Sequence, residues 1–186
     1  VGWLNDRTWL AHGIHFNDTE LDRLGAAGVG ICHCPSSNMV LSSGICRTLE
    51  LQERGAPVGL GVDGSASNDG SNMIQEVRQA LMIGRLRYAA DEMTHQQAIG
   101  FATEGSARCL GRDDIGKLAV GAEADIALFS LDEPRFSGAG DPLAALILCG
   151  AHKAEHVMVA GEWRVKNGEI PGLDMPALMA EHRALA

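Results

Sequence analysis

The sequence predicts an α/β fold with a parallel sheet, followed by a smaller β-rich module. Short apolar runs alternate with segments of helical periodicity up to about Gly111, and the links between them are short. This alternation is typical of parallel sheets, because each strand returns to the sheet through a helix. After Gly111 the pattern changes to short apolar runs separated by turns. We therefore expect two modules, residues 1–111 and residues 112–186.

The first strand-and-helix unit begins with an apolar run at residues 8–12. Asn17 and Glu20 follow with the three-residue spacing of a capping box, in which each side chain bonds the other residue's main-chain N–H. The helix that this box opens is expected to stop at Gly28.

Two further units follow with the same order of elements. The run at residues 30–34 is closed by Pro35, which has no N–H to continue a strand ladder. Residues 36–38 are polar and predict a loop, and a helix is expected around residues 47–54. The run at residues 57–62 predicts the third strand.

Longer helices are expected after the third strand. A small-residue loop at residues 64–70 leads to a helix from about Asn72, whose apolar positions follow the helical period. Thr94 with Gln97 is a second capping pattern, and the helix it opens is expected to reach Cys109.

The second module is predicted to be mainly β. Asp141 followed by Pro142 begins a brief helix, since Pro is favoured at the first helical position. Two strands are expected at residues 115–118 and 124–129. A hairpin is expected between residues 156–159 and 163–165, with its turn at Ala160-Gly161, and a closing helix at residues 174–185.

Three parallel strands leave two architectures open. A closed barrel needs eight strand-and-helix units, so the chain cannot form one by itself. The spacing of roughly 25–30 residues per unit is nevertheless typical of a barrel. The chain forms either a small open sheet or the last part of a barrel, and its start at Val1 without Met favours a piece of a longer polypeptide.

Composition excludes several classes of protein. The chain carries 15 Lys and Arg against 24 Asp and Glu, a net charge of −9, with no basic stripe for nucleic acid. The longest apolar run, residues 143–149, is far shorter than the ~20 residues of a membrane span. Five scattered cysteines indicate a reducing compartment, so we expect a cytoplasmic protein without disulfides.

Two residues stand where a parallel sheet places its chemistry. His12 ends the first predicted strand and Asp63 the third, and ligands bind at the carboxyl ends of parallel strands. A carboxylate can ligate a metal ion and accept a proton from water, and an imidazole can orient that water. Taken singly, a strand-end His is more often structural and an Asp before Gly is often a turn former.

Other patterns favour ordinary structure. GLGVDG at residues 59–64 has the spacing of a dinucleotide motif, but its first glycines lie within the strand and a long loop precedes the helix. Cys32, His33 and Cys34 suggest a thiolate metal site, although inert buried thiols are the more probable interpretation by about fourfold.

Several segments together resemble the amidohydrolase superfamily, in its cytosine/guanine-deaminase and triazine-hydrolase branch. WLAHGIH at residues 9–15, HCPSSN at 33–38 and GVDGSASND at 61–69 are similar to the ends of the sixth, seventh and eighth barrel strands. Residues 102–103, 107–111 and 116–126 resemble the passage into that family's β-sandwich. The resemblance implies the C-terminal part of a (β/α)8 barrel, with a small β-sandwich module.

The resemblance also implies roles for the two strand-end residues. Asp63 matches a metal ligand that activates the hydrolytic water, and His12 matches a catalytic residue that lies beside the substrate without binding the metal. The other zinc ligands of the family do not occur in this sequence, so one divalent zinc ion would need residues from a missing N-terminal portion.

The implied activity is hydrolytic deamination of a heterocyclic base. The loop at residues 64–72 is most similar to members that convert 8-oxoguanine to urate and ammonia. An s-triazine or adenosine-type aminohydrolase is the alternative of the same fold, and a non-catalytic binding domain is the alternative of another class. A homo-oligomer acting on a small molecule, without nucleic acid or membrane partners, is expected.

Overall fold

The structure is a computed structural model that describes residues 2–185 of the chain. It separates into two units. The first comprises residues up to Ala122 together with Leu131–His152, and the second comprises Glu123–Ser130 and the residues from Lys153 onward. The division at residue 111 into two modules stays a prediction, since residues 112–122 and 131–152 lie with the first unit in the structure.

The first unit contains the predicted parallel sheet. Its strands are β1 (Trp9–Ala11), β2 (Gly30–His33) and β3 (Val58–Leu60), in the spatial order β1-β2-β3. Both pairings are parallel, with Leu10 opposite Ile31 and Ile31 opposite Val58. The prediction of three consecutive parallel strands is therefore confirmed.

Three helices connect these strands. The helix α1 (Asp18–Ala26) lies between β1 and β2 in sequence, and α2 (Pro35–Val40) and α3 (Thr48–Glu53) lie between β2 and β3. The capping box that opens α1 is confirmed, because Asn17 and Glu20 each bond the other's main-chain N–H. The loop predicted at residues 36–38 is wrong. Pro35 stands at the first position of α2, where its fixed φ favours a helix, and the helix continues through the polar residues.

The next helices are α4 (Met73–Gly84), α5 (His95–Gly100) and α6 (Ser106–Cys109), with a π-helical turn over Phe101–Gly105 between the last two. Thr94 caps α5 as predicted, by accepting from the N–H of Gln97. The π-helical turn presses against β3, since a Cβ on Gly105 would lie 2.0 Å from the carbonyl oxygen of Val58.

Ser106 closes the open edge of β3. The N–H of Gly61 bonds β2, so the neighbouring N–H of Leu60 points to the other side of the strand, where it donates to Ser106 Oγ at 3.1 Å. An edge strand with free N–H groups invites pairing with other chains. The hydroxyl of Ser106 therefore gives the N–H of Leu60 a partner on the side of β3 that faces away from β2.

The core of the first unit lies between the sheet and its helices. Buried apolar side chains from β2 and β3 and from α1, α3 and α4 meet there, together with residues of α5 and the π-helical turn. Leu10 of β1 is partly buried and packs against them. The largest of the core side chains are Leu21, Ile31, Leu51, Leu81, Met93, Phe101 and Ile147.

The segment after α6 contains one wrong prediction. Residues 115–118 form no strand, because Gly116 adopts a left-handed φ of 77° and packs against the main-chain carbonyl of Thr103. A 3-10 turn at Pro134–Phe136 and the helix α7 (Pro142–Leu148) complete the unit. Asp141 caps α7, as predicted, by accepting from the N–H of Ala144.

The second unit contains an antiparallel sheet of three strands and a helix. The elements are β4 (Ile126–Leu128), β5 (His156–Val159), β6 (Glu162–Val165) and α8 (Met175–Leu185). The predicted hairpin between β5 and β6 is confirmed, and Ala160 and Gly161 at its tip both have positive φ, as a two-residue hairpin turn requires. The closing helix is confirmed as well.

No helix within residues 2–185 combines the length and the apolar character that crossing a membrane would require.

An ionic cluster joins α3 to the segment after α4. Glu50 accepts hydrogen bonds from Arg87 at 2.7 Å and from the hydroxyl of Tyr88, and Arg47 lies 3.3 Å from the same carboxylate. Burial by itself would raise the pKa of Glu50, but the bonds from Arg87 and Tyr88 outweigh it and lower that pKa to about 2. The cluster therefore holds an ionised carboxylate between two elements.

We predict that Glu50→Ala lowers the free energy of unfolding by about 1–3 kcal/mol at neutral pH, because it leaves partly buried donors without an acceptor. The pKa of Glu50 is lower in the folded state, so its contribution is complete above the ordinary value of 4.5 and decreases as the pH falls toward about 2. Urea unfolding of both proteins at several pH values measures this difference.

Glu53→Ala is the matched control, since Glu53 is exposed on the same helix. A loss within about 0.5 kcal/mol is expected for it. Equal losses for the two variants would contradict a stabilising role for the cluster.

Candidate active site at the strand ends

The structure brings the two predicted site residues together. His12 follows β1 directly and Asp63 follows β3 by three residues, so both lie at the carboxyl edge of the parallel sheet. His12 Nε2 is 3.6 Å from Asp63 Oδ2, and about a third of each side chain is exposed. The pair can therefore reach a ligand above the sheet.

Both residues have unusual backbone conformations. The φ angles of His12 and Asp63 are 68° and 63°, in the left-handed region that L residues with a Cβ seldom adopt. At each of these two residues, the chain changes direction after its strand has ended. Left-handed residues of this type concentrate at functional sites, because the surrounding structure must hold them.

The carboxylate of Asp63 is held by hydroxyl groups. Ser37 Oγ donates to Asp63 Oδ2 at 2.6 Å, and Ser67 Oγ lies 3.2 Å from the same oxygen and 2.8 Å from Ser37 Oγ. The hydrogen bond from Ser37 and, next, the main-chain N–H of Gly64 lower the pKa of Asp63 below its ordinary value. Asp63 is therefore an anion at neutral pH.

The imidazole of His12 is held on its other side. His12 Nδ1 lies 2.9 Å from Asn38 Oδ1, and an amide oxygen only accepts hydrogen bonds. The Nδ1 atom therefore carries a proton. In the neutral ring this leaves Nε2 as the unprotonated nitrogen, and it is Nε2 that faces Asp63.

A buried carboxylate ties together the loops that follow β2 and β3. Glu76 on α4 is 1% exposed. It accepts from the N–H of Ser36 at 3.1 Å and from Asn68 Nδ2 at 2.9 Å. The amide of Asn68 also donates to the carbonyl of Val62 at 2.8 Å. Glu76 thus connects the first turn of α2 to the chain on both sides of Asp63.

Sequence reasoning missed Ser37 and Glu76. Ser37 was predicted to lie in a loop, and its partner Asp63 is 26 residues away. Glu76 did carry a signal, because it falls beside Val77 on the buried face of α4. A carboxylate on a buried helix face needs donors from elsewhere in the fold.

The thiols and the imidazole of β2 form a separate group. His33 is buried, and burial lowers its pKa to about 4, so it is neutral. The pKa of Cys34 is raised by its hydrogen bond with Cys32 and by burial. Within residues 2–185 no three side chains of His, Cys, Asp or Glu are grouped so that they could hold a metal ion.

The residues present fit part of a zinc site. An anionic carboxylate and an imidazole are ligand types of zinc, and the hydroxyl bonds to Asp63 would orient a ligating oxygen. His12 also lines a cleft of about 450 Å³, together with Ile14, His15 and Phe16. A complete zinc site would need ligands from beyond this chain.

Comparison with known proteins agrees with this arrangement. The model of the amidohydrolase family matches residues 1–164. The 8-oxoguanine deaminase of Pseudomonas aeruginosa is 67% identical over 186 residues, which are 100% of this chain and 41% of that protein. The chain thus spans well under half the length of this relative.

Solved structures share the fold. A triazine hydrolase variant is 36% identical with a TM-score of 0.93, covering 99% of this chain and 41% of that one. An adenosine deaminase from Xanthomonas campestris with bound zinc is 30% identical with a TM-score of 0.91, covering 97% and 42%. The α/β sheet is therefore of the TIM-barrel type found in these proteins. On this evidence the chain belongs to the amidohydrolase family.

Proposed function

We propose that this chain is the C-terminal part of a zinc-dependent deaminase that hydrolyses 8-oxoguanine to urate and ammonia. The observation that carries the proposal is the anionic carboxylate of Asp63, 3.6 Å from an imidazole nitrogen at the strand ends. The 67% identity to an 8-oxoguanine deaminase over the whole chain supports the substrate.

Asp63 is the residue of this chain that would hold the zinc ion. Zinc, when bound in such sites, supplies a Lewis acid that lowers the pKa of water toward ~7. The bound zinc of the adenosine deaminase structure supports this metal. One ion per chain, with the remaining ligands supplied from outside residues 1–186, is part of the proposal.

Proton transfer is the task of the two strand-end residues. The anionic Asp63 carboxylate can take a proton from the attacking water, and the Ser37 and Ser67 hydroxyls keep that carboxylate ionised until it does. His12 lies beside it with Nε2 free to accept or return a proton. Water adds to the ring carbon that carries the amine, and ammonia leaves after it receives a proton.

The loop at residues 64–72 favours a free base as substrate. Its first residues are small, and a Cβ on Gly64 would meet no atom within 4 Å, so there is open space beside Asp63. Among residues 2–185, the basic side chain beside Asp63 is His12, and no Lys or Arg that would recognise a phosphate or carboxylate pairs with Asp63. A bicyclic purine without a charged group fits this space.

Two alternatives remain part of the hypothesis. An s-triazine or adenosine-type aminohydrolase would keep the same catalytic pair, and the two structural neighbours favour it. A non-catalytic binding domain would lack the remaining zinc ligands. Sequencing upstream of Val1 separates the last case. An upstream His-x-His and a later His-x-x-Glu would support the enzyme, and their absence from a complete reading frame would favour the binding domain.

Further features belong to the same proposal. The antiparallel sheet of the second unit would be one layer of a β-sandwich. A homo-oligomer and a cytoplasmic location are expected on the grounds given by the sequence.

We predict that Asp63→Asn abolishes turnover and lowers zinc content, because the amide neither accepts the proton nor ligates as an anion. His12→Asn should reduce kcat by ~10²–10⁴-fold, as for a lost acid–base group, with zinc content nearly unchanged. Both variants are made in the protein expressed from its full open reading frame. Ammonia release and zinc per chain are measured.

Asp91→Asn and His182→Asn are the controls, because both residues are exposed and lie on other elements. Each should retain wild-type turnover. Loss of zinc in His12→Asn would show that His12 is a ligand and contradict its assignment as an acid–base group.

The substrate prediction is a preference for 8-oxoguanine over guanine of at least ~10-fold in kcat/KM, about 1.4 kcal/mol of transition-state binding. A site that pairs with a polar group discriminates strongly against an analogue lacking it. Ammonia release from 8-oxoguanine, guanine, cytosine, isoguanine and hydroxyatrazine is compared under one set of conditions. Equal or faster turnover of another compound would reject the assignment.

A further inference from the structure

Two consecutive residues of α2 each contact a different member of the catalytic pair. Ser37 donates to Asp63 Oδ2 at 2.6 Å, and Asn38 Oδ1 accepts from His12 Nδ1 at 2.9 Å. The two contacts join positions 26 residues apart in each case, one forward and one backward along the chain. A single helical turn therefore determines where both side chains point.

Both contacting residues are buried, unlike the pair that they hold. Ser37 is 0% and Asn38 is 1% exposed, whereas His12 and Asp63 have about a third of their side chains exposed. Buried side chains lose little further freedom when a ligand binds, so they can fix exposed partners in advance. This is the arrangement expected of residues that act through others.

The turn of α2 that carries Ser37 and Asn38 is itself held in place by a hydrogen bond. Glu76 accepts the main-chain N–H of Ser36 and is 1% exposed, and its other oxygen binds Asn68 in the loop after Asp63. The position of the turn relative to that loop is therefore set by one buried carboxylate. A shift of the turn would move both catalytic side chains together.

We infer that Ser37 and Asn38 are positioning residues, which orient the carboxylate of Asp63 and the ring of His12 toward the substrate. The inference rests on the proposed function, since it gives these two residues a part in that reaction. Ser37 fixes the orientation of the carboxylate, and Asn38 Oδ1 accepts from Nδ1 of His12, which orients the ring so that Nε2 faces Asp63.

The test uses Ser37→Ala and Asn38→Leu in the protein expressed from its full open reading frame. Each should lower kcat by about 10–100-fold, because a small misplacement of a catalytic group has effects of this size. KM should stay within about threefold, since neither residue is proposed to contact substrate. A KM that changes by more than about threefold together with the loss of kcat would overturn the inference.

Ser36→Ala is the matched control for Ser37→Ala. The hydroxyl of Ser36 makes no hydrogen bond within the described part of the chain, and only its main-chain N–H is bound. Turnover within about twofold of wild type is expected. Equal losses for Ser36→Ala and Ser37→Ala would show a general effect on α2 and contradict the specific contact to Asp63.

A double-mutant cycle separates positioning from a structural role. If Asn38 acts through His12, Asn38→Leu should change the residual kcat of a His12→Ala protein by less than about twofold. A merely structural residue would lower kcat by the same factor in both backgrounds, and that result would overturn the inference.

If Asn38→Leu does not fold, Asn38→Asp tests whether the side-chain oxygen of Asn38 positions His12. It keeps the oxygen that accepts from His12 and replaces an NH2 group that has no partner among residues 2–185. A kcat well above that of Asn38→Ala is expected. A loss equal to that of Asn38→Ala would contradict a role for the oxygen.

Crystal structures supply a readout that does not depend on activity. In Asn38→Leu the distance from His12 Nε2 to Asp63 Oδ2 should depart from 3.6 Å by about 1 Å or more. An unmoved ring would overturn the inference. If the wild-type protein deaminates none of the five compounds, the proposed function fails, and the structures still decide whether Asn38 positions His12.

Discussion

The left-handed backbone at His12 and Asp63 is the constraint on which the site depends. A residue with a Cβ loses about 1–2 kcal/mol in this conformation, and the pair adopts it at φ values of 68° and 63°. The sheet fixes the strands up to these points, and the hydrogen bonds from Ser37 and to Asn38 hold the side chains beyond them. The main-chain N–H of His12, which donates to the carbonyl of Cys32 at 2.8 Å, and the hydroxyl of Ser67 beside Asp63 hold the two turns as well.

The burial of Glu76 is a second constraint on the site. An isolated carboxylate is strongly destabilising inside a protein, so its two acceptor contacts must be made for the fold to be stable. Those contacts reach Ser36 and Asn68, which belong to different loops at the carboxyl edge of the sheet. Stability of the fold and precision of the site thus depend on the same few hydrogen bonds.

Local signals in the sequence were sufficient for much of the fold. Capping at Asn17 and Thr94, the hairpin at Ala160 and the three strands all depend on residues close in sequence, and all were predicted correctly. His12 and Asp63 were found because the ends of parallel strands share one edge.

Long-range contacts account for what the sequence did not reveal. The helix α2 is anchored by Glu76, 40 residues beyond Ser36, and no local pattern distinguishes it from a polar loop. The strand expected at residues 115–118 fails because Gly116 packs on Thr103, a contact that apolar periodicity does not encode.

The cover that Ser106 gives to β3 has a consequence for synthesis of the protein. Within this chain the three strands pair in the order in which they are synthesised, so β3 joins the sheet after β1 and β2. The hydroxyl that caps β3 is made 46 residues after Leu60. During that interval the N–H of Leu60 lacks the partner that it has in the fold, and pausing of translation there would prolong the time in which neighbouring nascent chains can pair with this group.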